Sequence, residues 1–209
     1  MPITVIIIFI TYLKRKITYT SSFRIPVICI GNIYIGGTGK TPLSILIAKE
    51  LSSKSKNPSI IRKFYKNHID EHNLIKAHYD KLILSSNRFD GITEAEKKKF
   101  DSVILDDGFQ DCSVKKNLNI ICFNQNQLIG NGLVIPSGPL RENLSSLKEA
   151  HIVVINGKKI VEFEEKILKI NNNLKIYYSE YKPTNIDEFK NKELLAIAGI
   201  GNPHNFFNL

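Results

Sequence analysis

The stretch PVICIGNIYIGGTGKTPLSILIAKEL, residues 26–51, falls into three parts. Val27, Ile28, Cys29 and Ile30 make a short apolar run, the mark of a strand buried on both faces. Leu43, Ile45, Leu46, Ile47 and Leu51 recur at helical spacing, with Thr41 placed to cap and Pro42 in the first turn, where a missing N–H costs nothing. Between strand and helix lie Gly36, Gly37, Thr38, Gly39, Lys40 and Thr41. A glycine-rich turn that opens a helix lets backbone N–H groups close round an anion, and the helix N-terminus adds its partial positive charge. The spacing predicts a phosphate cradle, with Lys40 reaching the β- and γ-phosphates of a nucleotide and the Thr41 hydroxyl helping to hold Mg²⁺. Tyr34 stands where the pattern G-x-x-x-x-G-K-[ST] has its first glycine, and Gly36 and Gly37 compensate for it.

Downstream, Ser102-Val103-Ile104-Leu105 runs into Asp106-Asp107-Gly108-Phe109-Gln110. A buried strand that ends in acids, at the edge of a parallel sheet facing the Lys40 loop, supplies carboxylates for Mg²⁺, directly or through water. Asp106 and Asp107 are the candidates. Further strands are predicted at 59–62, 81–85, 118–123, 152–155, 174–178 and 194–198, and helical patterns near 93–99, 144–150 and 160–170. Strands alternating with helices predict an α/β fold: a P-loop NTPase-like, three-layer α/β/α arrangement with a mostly parallel sheet. Ligands on such sheets sit at the carboxyl ends of the strands, where both motifs fall.

The chain has 209 residues and a formal net charge of +9. The excess is N-terminal: residues 1–66 hold 11 Lys and Arg against the single acid Glu50, and the remainder holds 18 against 19. Such a block suits an anionic membrane surface or polyanionic ligands. No aromatic-basic RNA motif or zinc spacing accompanies it, so nucleic acid is not an expected partner. Val5 to Leu13 is largely apolar and is followed by Lys14-Arg15-Lys16 and Arg24. That run is too short to span a bilayer and lacks the flanks of a signal peptide. It reads as an interfacial anchor, with a buried β-strand as the alternative its β-branched residues allow. The organisation expected is a membrane-associated segment over 1–25, a nucleotide-binding core over 26–190, and the start of a further part over 191–209. Cys29, Cys112 and Cys122 form no C-x-x-C pair and read as free thiols of a reducing compartment. His68 and His72 are four apart, but without a third ligand they read as part of a solvated loop or helix face.

Four segments in order, Pro26–Pro42, Ile104–Gln110 (ILDDGFQ), Ile135–Glu142 (IPSGPLRE) and Ala198–Phe207 (AGIGNPHNFF), resemble the tetraacyldisaccharide 4'-kinases of Gram-negative bacteria over nearly the whole chain. The resemblance implies transfer of the ATP γ-phosphate, with Mg²⁺, to the 4'-hydroxyl of a tetraacylated, 1-phosphorylated glucosamine disaccharide, the lipid A precursor, at the cytoplasmic face of the inner membrane. It also implies a catalytic acid from a Gly-Asp-Glu segment, which makes Asp70 of Ile69-Asp70-Glu71 the candidate base beside Lys40 as the catalytic cation. Gln110, Arg141 and Glu142 are carried over as residues that shape the acceptor or nucleotide pocket. Arg62 and Tyr65 stand where the family has a Ser-Arg-Gly-Tyr-Gly loop, here without its glycines. Asp111 replaces the histidine that follows DDGFQ, and the family's C-terminal histidine has no match, His204 included. Two readings follow: a kinase, complete or joined by a separate chain carrying the C-terminal part, or a non-catalytic, membrane-associated nucleotide-binding remnant. A third has water as the phosphate acceptor.

Overall fold

Val27–Gly31 forms β1, the central strand of a seven-stranded sheet in the computed structural model, which describes residues 2–65, 69–182, 186–193 and 195. The other strands are β2 (Pro58–Lys63), β3 (Leu82–Ser85), β4 (Ser102–Asp106), β5 (Leu118–Asn124), β6 (Ile152–Asn156) and β7 (Lys175–Ser179). They lie in the order β3-β2-β4-β1-β5-β6-β7, and every pairing is parallel. This is the expected three-layer α/β architecture. Ile28 of β1 lies beside Ile104 of β4 and Leu118 of β5, so the first strand is flanked by two that come much later in the chain.

The helices are α1 (Pro2–Ile17), α2 (Lys40–Ser53), α3 (Ile69–His78), α4 (Arg88–Lys97), α5 (Val161–Leu168) and the short α6 (Ile186–Phe189), with a 3₁₀ helix over Leu144–Glu149. Side chains alternate across each strand. Ile30, Ile60, Ile104, Ile120 and Cys122 face one side, with Ile45 and Ala48 of α2 and Ile75 of α3. Val27, Ile61, Val103 and Leu105 face the other, with Ile92 and Ala95 of α4. Further along that face Cys29, Ile121, Phe123 and Val153 meet Phe163 and Ile167 of α5. The cysteines are free. Burial pushes the Cys29 thiol up to about 11 and that of Cys122 to about 12, so both are inert at neutral pH.

Residues 2–17 form neither a strand nor a spanning segment. They fold as α1, with Ile7 and Ile8 against the core and Thr4 buried and bonded to Ser137 at 2.6 Å. Its outer face leaves Val5, Ile6, Phe9 and Ile10 each more than half exposed. Among the described residues no helix is long and apolar enough to cross a membrane. Lys14, Arg15 and Lys16 fill its last turn, where cations oppose the helix dipole.

Two boundaries differ from the expectation. The cap of α2 is Gly39, in the left-handed region at φ 80°, which frees the Thr41 side chain for other work. Helix α4 begins at Arg88 rather than near Thr93, because the Asn87 side chain accepts from the Asp90 N–H at 2.9 Å. The strand expected at 194–198, the segment from Ala198 to Phe207, and His68 lie outside the described residues.

Candidate active site

The loop of residues 32–39 leaves the end of β1 and enters α2. Its carbonyls are held by side-chain amides, two from outside the loop and one from within: Gln127 donates to Ile35 O at 3.2 Å, Asn124 to Gly37 O at 3.5 Å, and Asn32 to Gly36 O at 3.4 Å. Gly36 sits at φ 142° and Gly39 at φ 80°, where a side chain would be strained. The first N–H groups of α2 have no partner within the helix. Thr38 is 3% exposed and its Oγ1 is buried without a hydrogen-bond partner, a polar atom left for something the cradle receives.

Opposite this loop the end of β4 presents Asp106, fully buried. Thr41 Oγ1 donates to its Oδ2 at 3.1 Å and Ser44 Oγ to its Oδ1 at 3.1 Å. A third donor comes from β2. Arg62 is next to Asp106 by strand register, pairs through Nη1 with Oδ2, and donates to Thr41 Oγ1 at 3.3 Å. Its Nη2 pairs with Glu71 in the first turn of α3. A hydroxyl and a buried carboxylate, both hard oxygen donors beside a phosphate cradle, fit Mg²⁺ held jointly with phosphate oxygens and water. Among the described residues no cluster of three His, Cys, Asp or Glu forms a metal site by itself.

Asp107 follows in the left-handed region at φ 58°. Lys40 Nζ lies 3.6 Å from its Oδ1, Arg141 Nη1 3.2 Å from the same oxygen, and Arg88 Nη2 donates to its backbone carbonyl. Burial alone would push the Asp107 carboxyl up, but Lys40, Arg141 and Arg88 reverse this and hold it below the usual carboxylate range. Asp106 is thus the carboxylate bonded to Thr41, and Asp107 the one that neutralises Lys40 and Arg141. Asp111 accepts from the Ser113 N–H at 3.0 Å and hydroxyl at 2.6 Å and pairs with Arg88 at 3.2 Å. Against the effect of burial, these bonds and Arg88 hold its carboxyl down as well. The Asp111 carboxylate is therefore matched by a cation from α4.

Asp106, Asp107 and Asp111, with Arg62, Arg88 and Arg141, line a cavity of about 340 Å³ at the carboxyl ends of the strands. Five cations (Lys14, Arg62, Lys63, Arg88 and Arg141) face three carboxylates (Asp106, Asp107 and Asp111), with Tyr65 and Gln110 between them. Gln110 donates to Asn32 O at 2.7 Å and so ties the DDGFQ turn to the start of the phosphate loop. Phe109 fits under that turn because residue 31 is glycine; a Cβ there would lie 2.4 Å from Phe109 Cβ. Glu142 is not brought to the cavity. It is 4% exposed beneath α1, paired with Arg15, which also pairs with Glu149. Burial pushes the Glu142 carboxyl up despite Arg15, whereas the two carboxylates prevail over burial and raise Arg15; the more buried Glu142 bears the desolvation cost. Asp70 is exposed on α3, one residue before Glu71, and His72 is buried and stacked on Phe64 with centroids 5.6 Å apart.

Lys40, Thr41, Asp106 and Asp107, expected from the two motifs, meet at the ends of β1 and β4. Arg62, Arg88, Asn124 and Gln127 join them from outside the nucleotide motifs, with no contiguous sequence signal. A larger cavity, about 530 Å³, opens beyond Gln110–Ser113 between the end of α1 and the starts of β5 and β6, at the edge of the sheet opposite the phosphate loop.

A sequence model of the tetraacyldisaccharide-1-P 4'-kinase family matches residues 1–209. The tetraacyldisaccharide 4'-kinase of Pelagibacter ubique is 42% identical over 212 residues, covering 100% of this chain and 67% of its own length. That of Shewanella sediminis is 30% identical, covering 99% and 67%. The chain thus spans about two thirds of the length of these relatives. Among solved structures, LpxK from Aquifex aeolicus, in complex with ATP, superposes with a TM-score of 0.64 at 20% identity, over 93% of this chain and 84% of that one. The hydrogenase maturation factor HypB of Archaeoglobus fulgidus gives 0.51 at 12% identity, over 86% and 91%. At these identities the two structures bear on the fold.

Proposed function

The chain belongs to the tetraacyldisaccharide 4'-kinase family, and we propose that it transfers the γ-phosphate of ATP to the 4'-hydroxyl of a tetraacylated glucosamine disaccharide 1-phosphate, the lipid A precursor. The observation that carries this is the meeting of the Thr41 hydroxyl and the buried Asp106 carboxylate at 3.1 Å beside Lys40. In the reaction the 4'-oxygen bonds to the γ-phosphorus as the bond from that phosphorus to the β–γ bridging oxygen breaks, and ADP leaves. Thr41 and Asp106 would hold Mg²⁺, which when bound neutralises phosphate charge.

The chain's own residues supply the rest. The backbone at 36–41 cradles the phosphates, and Lys40 exchanges a loose pair with Asp107 for a γ-phosphate oxygen. Arg141 then keeps Asp107 neutralised as Lys40 leaves it. The cation-rich cavity draws in the anionic acceptor. The hydroxyl proton passes to a carboxylate, for which Asp70 is the candidate; the pairing of neighbouring Glu71 with Arg62, which lines the cavity, supports that reading.

A lipid acceptor places the enzyme at a bilayer. The exposed apolar face of α1, with Lys14 and Lys16 at its end, suits an anionic surface at the cytoplasmic face of the inner membrane, and Lys14 also lines the cavity. The test is γ-phosphate transfer in detergent from Mg²⁺·ATP to the tetraacyldisaccharide 1-phosphate. Transfer by the wild-type chain that falls on the order of a hundredfold or more in Lys40→Ala is expected. Transfer indifferent to Lys40 would remove the assignment, and ATP binding without transfer would favour a nucleotide-binding remnant.

A further inference from the structure

We propose that Arg62 is a resident counter-ion: it occupies the cation position of the nucleotide site until Mg²⁺ arrives, and then turns to the phosphates that come with it. The proposal rests on the kinase reading above and assigns a role to a residue outside the nucleotide motifs.

Arg62 Nη1 is bonded to Asp106 Oδ2 and lies 3.3 Å from Thr41 Oγ1. Those are the two oxygens that the strand and helix ends devote to the metal. Asp106 is fully buried, and a buried carboxylate requires a positive partner. Before nucleotide binds, the guanidinium is that partner. A cation that enters must take Oδ2 from it, so metal and arginine compete for one oxygen. A guanidinium keeps its charge at any ordinary pH and cannot answer displacement by losing a proton. It must find another anion. Its other arm is paired with Glu71, so Arg62 remains at the site and the edge that Asp106 gives up turns to phosphate oxygens. Planar, two-edged donation is what such a bridge needs, and lysine could not provide it.

The test measures the binding of ADP, and of a non-hydrolysable ATP analogue, as free Mg²⁺ is varied, together with thermal unfolding of the nucleotide-free chain in EDTA. In Arg62→Gln, competition is gone. The Mg²⁺ midpoint for ADP should move about tenfold lower, the analogue should bind more weakly at saturating Mg²⁺, and the EDTA melting temperature should fall with a deficit that Mg²⁺·ADP closes. Glu71→Gln removes the carboxylate that shares Arg62 with Asp106 and should move the Mg²⁺ midpoint the opposite way; it is the variant to read if Arg62→Gln does not fold. Midpoints equal to wild type in both variants, with nucleotide still bound, would overturn the exchange and leave the kinase reading standing. A wild-type chain that binds no nucleotide would overturn both.

Discussion

Asp106 carries three donors on one carboxylate, from Thr41, Ser44 and Arg62, and its worth to the site depends on its charge. Asp106→Asn keeps the size and removes the attraction for Mg²⁺. Calorimetric titration should show nucleotide affinity falling at least tenfold in Mg²⁺ and changing little in EDTA; an unchanged Mg²⁺ dependence would take Asp106 out of the ligand set. Asp107 and Asp111 are held below the ordinary carboxylate range, so the folded chain favours their ionised forms. Their stabilisation is present above about pH 4 and is lost as pH falls through their lowered values. The deficit of Asp111→Asn, read by urea unfolding, should therefore be largest between about pH 5 and 7 and shrink toward pH 3. Lys40, Thr41 and Asp106 were legible in the sequence because each sits in a contiguous motif whose spacing is its geometry. Arg62 and Arg88 were not, because their partners come from other strands and turns, and only strand register sets Arg62 beside Asp106. Gln110 was legible as a residue of the site but not as the tie that joins its two halves.

Among the elements, α1 departs furthest from a plain reading. Its β-branched run allowed a strand, and the chain makes a helix because one face can be buried on Ile7 and Ile8 while the other stays outside. Tertiary packing outweighs local preference here. If the outer face meets a bilayer, Phe9→Asp with Ile10→Asp should cut co-sedimentation with anionic vesicles several-fold and leave the melting temperature nearly unchanged, since the two side chains are 59% and 57% exposed. Equal vesicle binding by the variant would mean that this face has some other use. The buried strands were easier to read. Continuous apolar runs bounded by polar turns leave little choice in a sheet covered on both faces, and β1, β2, β4, β5 and β6 fall within a residue or two of their expected limits. The start of helix α4 differs from the expectation because its signal is one capping side chain, Asn87, rather than a periodicity.

At the scale of the molecule, alternating strands and helices gave the layers, and the ends of β1 and β4 gave the side of the sheet on which chemistry gathers. Strand order could not be read, since no local feature says that β1 lies between β4 and β5. The uneven charge was legible as a number but not as a place; in the fold Lys14, Arg62 and Lys63 from the basic N-terminal block line the same cavity as Asp106, Asp107 and Asp111 from the rest of the chain. The central position of β1 also sets a timetable for synthesis. The phosphate-loop strand leaves the ribosome well before the neighbours that flank it: seventy residues separate it from residues 102–106, and residues 118–124 come later still. Until then β1 is an unpaired, wholly apolar edge, and its closure waits on contacts remote along the chain, the slow kind. The nascent protein therefore carries its most conspicuous motif for much of translation as a segment in need of shielding, and nucleotide can be received only once the middle of the chain has folded back around the beginning.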